Sequence, residues 1–174
     1  MGLFDVLRGI KRSEAGTPVA PRVELEQRLL ALNNTQVPFA ITPSPTSDLA
    51  ASWKIVDASW YEIFAKAGLQ KSHTIYLRLD GSKHEARALE ESSTVAWEAG
   101  VPRLSVTIEK TRGRTLGAKE FGTGYAFTGV NPLDVGQVYN YRFNVSEMKD
   151  PIIKIVTDSG WAYVPVTSKG RVKK

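Results

Sequence analysis

The chain has 174 residues, 42% hydrophobic and 24% charged, with a net charge of +5 and no cysteine, the composition of an ordinary globular domain. The absence of thiols removes thiolate catalysis, iron–sulfur clusters, disulfide frameworks and cysteine-ligated zinc. Two histidines, His73 and His84, leave little for an imidazole metal site. The charge is uneven: residues 1–12 carry +2 and residues 169–174 carry +4, so everything between sums to −1. Basic ends favour polyanions without specifying which.

The first twelve residues, MGLFDVLRGIKR, have helical spacing. Leu3, Leu7 and Ile10 form a stripe that Phe4 and Val6 widen, with Asp5, Arg8 and Arg12 on the other face. The apolar run is interrupted by charge and its basic residues come last, so it is not a secretory signal. Val6 stands where a myristoylation motif needs Ser or Thr. No stretch of about eighteen apolar residues exists to span a membrane. With the missing cysteine, these features set the expectation of a cytoplasmic protein, peripheral at the inner face of the membrane where the N-terminus docks. Twelve residues with Gly9 among them are too few for a stable free helix, so the segment should order on docking.

Residues 13–22 (SEAGTPVAPR) read as a flexible linker. Val23–Asn33 reads as a short helix with Leu25, Leu29 and Leu32 on one stripe, and Pro38–Pro43 as an extended piece. From Asp48 to Ala67, Leu49, Trp53, Val56, Trp60, Ile63 and Ala67 recur at alternating steps of four and three. That predicts a long amphipathic helix, with Ser47 as cap, Asp48 complementing the dipole and Gly68 at the C′ position. Beyond Gly68 the period becomes two: Ile75, Leu77 and Leu79 alternate with Tyr76 and Arg78, and Asp80-Gly81 turns the chain into a strand near His84–Leu89. Further strands are expected at Thr94–Ala99, Arg103–Lys110, Phe121–Thr128 and Val138–Asn144, then a short helix at Pro151–Asp158 capped by Asp150 and ended by Gly160, and a last strand at Trp161–Val166. Short connections favour antiparallel neighbours.

The predicted fold is α+β: an antiparallel meander of about six or seven strands, open or curled toward a barrel, covered by one long amphipathic helix, with short helices near the N-terminus and before the last strand. The expected division is an N-terminal helix at 1–12, a linker at 13–22, one α+β domain at 23–168 and a basic tail at 169–174.

Each candidate site residue also has an ordinary packing role. Asp57 and Glu62 lie near two tryptophans, where an acid can have a raised pKa; Asp57 reads better as a buried, hydrogen-bonded carboxylate and Glu62 as solvated. His73 and His84 could face each other across their hairpin, but no third metal ligand stands at a characteristic spacing. Lys110, Arg112 and Arg114 form a basic turn able to grip phosphate, and equally a solvated hairpin tip. Gly122-Thr123-Gly124 is neither a Walker loop nor a dinucleotide fingerprint. Tyr125, Phe127, Tyr139, Tyr141 and Phe143 could stack bases, yet their shared phase is that of a buried sheet face. No catalytic, metal-ligating or cofactor-binding set emerges.

The segments WKIVDASWYEIFAKAGL (53–69), WEAG (97–100), VYNYRF (138–143) and GWAYVPV (160–166) resemble a family of small uncharacterised bacterial proteins. The resemblance covers roughly residues 23–168 and implies a bacterial cytoplasmic setting; no activity comes with it. The functional expectation is a non-enzymatic adaptor whose Leu3, Phe4, Leu7, Ile10, Lys11 and Arg12 dock on an anionic membrane or a partner protein. The alternative is an RNA- or DNA-associated protein using Lys110, Arg112, Arg114, Lys169, Arg171, Lys173 and Lys174. No small-molecule substrate is indicated.

Overall fold

A computed structural model describes residues 5, 8–55, 71–98, 101–105 and 145–174. Helix α1 spans Arg22–Leu30 and α2 spans Ser146–Asp158; strands β1 to β6 span Phe39–Pro43, Leu49–Trp53, Lys71–Asp80, Glu85–Glu98, Val101–Ser105 and Ala162–Val166. The class is α+β, and the sheet is not closed: its order is β1-β2-β3-β4-β5, with β6 paired to β4 off that path.

The β3–β4 hairpin is the backbone of the fold, paired from Lys71↔Thr94 to Asp80↔Glu85. Its core face carries Ile75, Leu77 and Leu79 opposite Ala86 and Ala88, all essentially buried. Small alanines on β4 leave room for the helices that cover this face. Leu25 and Leu29 from α1 and Met148, Ile152 and Val156 from α2 fill it together with Phe39, Ile41, Leu49 and Ala51. Each large aliphatic side chain so buried stabilises the fold by about 1.5–3 kcal/mol. On the opposite face a smaller cluster joins Leu89, Val166 and Val172, with Tyr76 and Val164 against it.

Several expectations are corrected. The predicted long helix does not begin at Asp48, because Leu49–Trp53 is strand β2, buried at every second residue and paired with both β1 and β3. The reason is geometric: a step of four, from Leu49 to Trp53, keeps two residues on one face in a helix and also in a strand. Buried Ala51 between them settles the period as two. Ser47 is therefore no helix cap; its hydroxyl donates to the Leu49 carbonyl at 2.9 Å within the β1–β2 turn. Asp48 does not face a helix dipole either. Its buried carboxylate takes Arg22 at 3.0 Å, Arg78 at 3.1 Å and the Leu79 N–H at 2.7 Å, tying the start of α1 to β2 and β3. Lys54 is not helical either, its N–H donating to the Pro38 carbonyl at 2.9 Å, and residues 56–67, with Asp57 and Glu62, lie outside the described residues.

The strands expected at 84–89 and 94–99 are one strand, β4, because pairing with β3 carries it through the polar run Glu90-Glu91-Ser92-Ser93. The meander is also incomplete. β6 runs parallel to β4, from Glu85↔Ala162 to Leu89↔Val166, since α2 intervenes between β5 and β6, and parallel neighbours need such a crossover. Helix α2 starts at Ser146, not at Pro151, because Met148 extends its buried stripe one turn back from Ile152 and Val156. It ends as expected at Gly160: the Gly160 and Trp161 N–H groups bond to Thr157 at 3.0 Å and Val156 at 3.1 Å, with Gly160 at φ +77°. That is the Schellman termination. A Cβ on Gly160 would lie 2.6 Å from the Pro18 carbonyl oxygen, so the corner also needs glycine for space. The strands expected at 121–128 and 138–144 lie outside the described residues.

Candidate functional site

The described part of the N-terminal segment is built from Asp5 and residues 8–12. Asp5 and Arg8 have helical backbone. Gly9 adopts φ +67° and the Ile10 N–H bonds to the Asp5 carbonyl at 2.9 Å, a second Schellman termination. Gly9 therefore stops the helix after Arg8, short of the predicted boundary at 12. Arg12 turns back onto Asp5, its Nε 2.7 Å from one carboxylate oxygen and its second donor 3.2 Å from the other.

Lys11 then pairs with Tyr163 of β6 as an antiparallel bridge: its N–H donates to the Tyr163 carbonyl at 3.0 Å, and its carbonyl accepts from Tyr163 at 2.8 Å. The segment is thus anchored to the outer edge of β6. Residues 18–20 fasten the following stretch: the Ala20 N–H donates to Ser159 at 2.9 Å, and the Ala20 carbonyl accepts from the Trp161 indole at 2.8 Å.

The C-terminal residues are a strap over the other face of the sheet. After a 3-10 turn at Lys169–Arg171, Val172 is buried among Leu89 and Val166. Lys169 reaches Glu91 at 2.9 Å, and that carboxylate raises the Lys169 ammonium above its ordinary pKa. Lys174 donates from its backbone to Thr46 at 3.2 Å and from Nζ to the Ser44 carbonyl at 2.9 Å. Arg171 and Lys173 are exposed.

Of the sequence-predicted docking residues, Ile10, Lys11 and Arg12 thus lie at β6, and Leu3, Phe4 and Leu7 lie outside the described residues. Of the predicted polyanion set, Lys169, Arg171, Lys173 and Lys174 form the strap, and Lys110, Arg112 and Arg114 lie outside the described residues, as do Gly122–Gly124 and the five aromatics at 125–143. The two histidines do not meet. His73 pairs with Ser92 well inside the ladder, its Nδ1 3.0 Å from the Ser92 hydroxyl and its ring edge-on to Trp53 at 5.4 Å. His84 closes the Gly81–His84 turn at φ +50°, 5.5 Å from the Trp161 ring. Among the described residues, no group of three or more His, Asp or Glu stands together as a metal site.

One polar group on the core face lies outside the expected candidates. Glu90 lies opposite Ile75 and pairs with Lys149 of α2. The Tyr163 hydroxyl is buried beside it, and burial first, then the Glu90 charge, pushes that phenol well above its ordinary pKa. Tyr163 therefore stays protonated, and its hydroxyl makes no hydrogen bond among the described residues. The run Glu90–Ser93 in the middle of a long strand is the one signal that marks this spot.

The β3–β4 turn carries a pH-sensitive contact. The Ser82 hydroxyl at 2.7 Å, the Arg87 guanidinium at 2.9 Å and the turn's N–H groups hold the Asp80 carboxyl below its ordinary 3.8. A depressed folded pKa gives stability that is present above the unfolded value and lost as pH falls through the folded one. Asp80→Asn should lower the urea midpoint at neutral pH, and the gap from wild type should close on acidification below about pH 4. A gap that persists unchanged in acid would rule out the charge as its source.

Comparison of the chain with protein-family models, with curated proteins and with solved structures finds no match.

Proposed function

We propose that this chain is a non-enzymatic interaction module, an adaptor whose amphipathic N-terminal segment docks on an anionic membrane surface. The observation that carries this reading is the fixed exit of the segment. Gly9 ends the helix and Lys11 is bridged to β6, so the segment whose sequence carries Leu3, Phe4 and Leu7 joins the body at a fixed point, with Ile10 beyond the helix end. An apolar stripe with flanking cations is the composition of interfacial helices. No helix among the described residues is long and apolar enough to cross a membrane, and docking at the surface needs none. A nucleic-acid role for the tail draws less support, because Lys169 and Lys174 are already engaged with Glu91, Ser44 and Thr46.

Flotation with anionic vesicles tests the reading. Wild type should float, and Leu3→Asp with Leu7→Asp should abolish flotation while leaving the circular dichroism spectrum unchanged. Equal flotation of the two proteins would sink the proposal. Failure of wild type to float would redirect the segment to a groove on a partner protein.

A further inference from the structure

Among the described residues eight cations are ion-paired, and the exposed ones without a partner lie on segments that adjoin β6. Arg12, Arg22, Arg28, Arg78, Arg87, Lys149, Lys154 and Lys169 are each ion-paired. Lys54 and Lys174 donate to backbone carbonyls. Among the described residues, the exposed cations with neither kind of partner are Arg8, Lys11, Lys83, Arg171 and Lys173. Arg8 and Lys11 belong to the segment bridged to β6, and Arg171 and Lys173 to the strap that continues from it. Lys83 sits in the turn whose His84 carbonyl accepts the Ala162 N–H at the start of β6.

The strap sorts its side chains. Lys169, Val172 and Lys174 clasp the body; Arg171 and Lys173 are left on its outward side. Holding a basic tail down in this way fixes the outward cations on a rigid surface, where less conformational entropy is lost on binding than for a free tail.

We infer that the outward side of the C-terminal strap, Arg171 and Lys173, is a second contact for the same anionic phospholipid surface that receives the N-terminal segment. The inference rests on the docking reading above. The occupant is a bilayer rather than a nucleic acid because the N-terminal stripe offers apolar side chains for insertion beside its cations, and phosphate backbones have no use for them. Two contacts joined through one strand act together, so the second engages at high effective concentration once the first has bound.

The test is partition of the full chain onto phosphatidylglycerol–phosphatidylcholine vesicles, with pure phosphatidylcholine vesicles as the neutral arm. Arg171→Gln with Lys173→Gln should weaken partition roughly 30-fold, since each cation near an anionic surface contributes about 1 kcal/mol. Binding to the neutral vesicles and the thermal midpoint should not change. Lys169→Gln with Glu91→Gln removes a neutral pair at unchanged net charge and should change partition by less than about threefold. If removing this neutral pair weakens binding as much as Arg171→Gln with Lys173→Gln, the hold of the strap and not its exposed cations is at work, and the inference fails. If Arg171→Gln with Lys173→Gln partitions like wild type while Leu3→Asp with Leu7→Asp does not bind, the inference fails and the docking reading stands. If only Arg171→Gln with Lys173→Gln loses binding, the strap is the dock and the N-terminal reading fails. Salt-sensitive binding to single-stranded RNA with no partition onto vesicles would overturn both.

Discussion

Trp161→Ala should cost about 4–5 kcal/mol, the upper part of the range for deleting a buried aromatic side chain, read as a drop in urea midpoint at unchanged slope. The indole is 1% exposed and ranks among the largest fully buried side chains. It fills the corner where α2 turns into β6, stands edge-on to His84 at 5.5 Å, and donates to the Ala20 carbonyl at 2.8 Å. Truncation therefore opens a large cavity and also strips a buried carbonyl of its donor, which adds to the cost. Trp161→Phe separates these terms: it keeps most of the volume and loses the bond, so about 1–2 kcal/mol is expected. A loss below about 2 kcal/mol for the alanine variant would show that the corner collapses onto the space, which its place between α1, α2 and the turn makes unfavourable.

Asp48→Ala should cost about 3 kcal/mol, the low end of what breaking a buried ion pair does. The asymmetry of exposure sets this value. Asp48 is 3% exposed, whereas Arg22 and Arg78 are 45% and 34% exposed, so the arginines left behind still reach water. The Leu79 N–H, which donates to the carboxylate at 2.7 Å, has no such recourse and accounts for much of the loss. Arg22→Gln should therefore cost far less, under about 1 kcal/mol, because Asp48 keeps Arg78 and Leu79. Equal losses for the two variants in chemical denaturation would contradict this division.

Much of the sheet was legible where one period excluded the other. Ile75, Leu77 and Leu79 alternate too strictly for any helix, and the Asp80-Gly81 turn fixed where the chain returns. Leu25 and Leu29 marked α1 and Gly160 the end of α2. The stretch from Leu49 to Trp53 was not legible, because a spacing of four serves both geometries and Ala51, apolar but small, did not decide between them. The direction of β6 was hidden for another reason: its neighbour is chosen by α2 crossing the sheet, an outcome of packing and not of local pattern. The candidate docking residues were visible as a charge pattern, yet the sequence could not say which cations answer to the body. Lys169 and Arg171 look alike in KGRVKK; only the fold puts Glu91 beside one and leaves the other outside.

The bridge between Lys11 and Tyr163 consists of two main-chain hydrogen bonds. The place where the N-terminal segment leaves the body is therefore indifferent to the side chain carried at position 11. Drift at that residue can change the side chain the segment presents without moving its point of attachment. Proline is the exception, since it has no N–H to give. Surface chemistry and position are in this way inherited separately, one through side chains and the other through the peptide groups of a single strand edge.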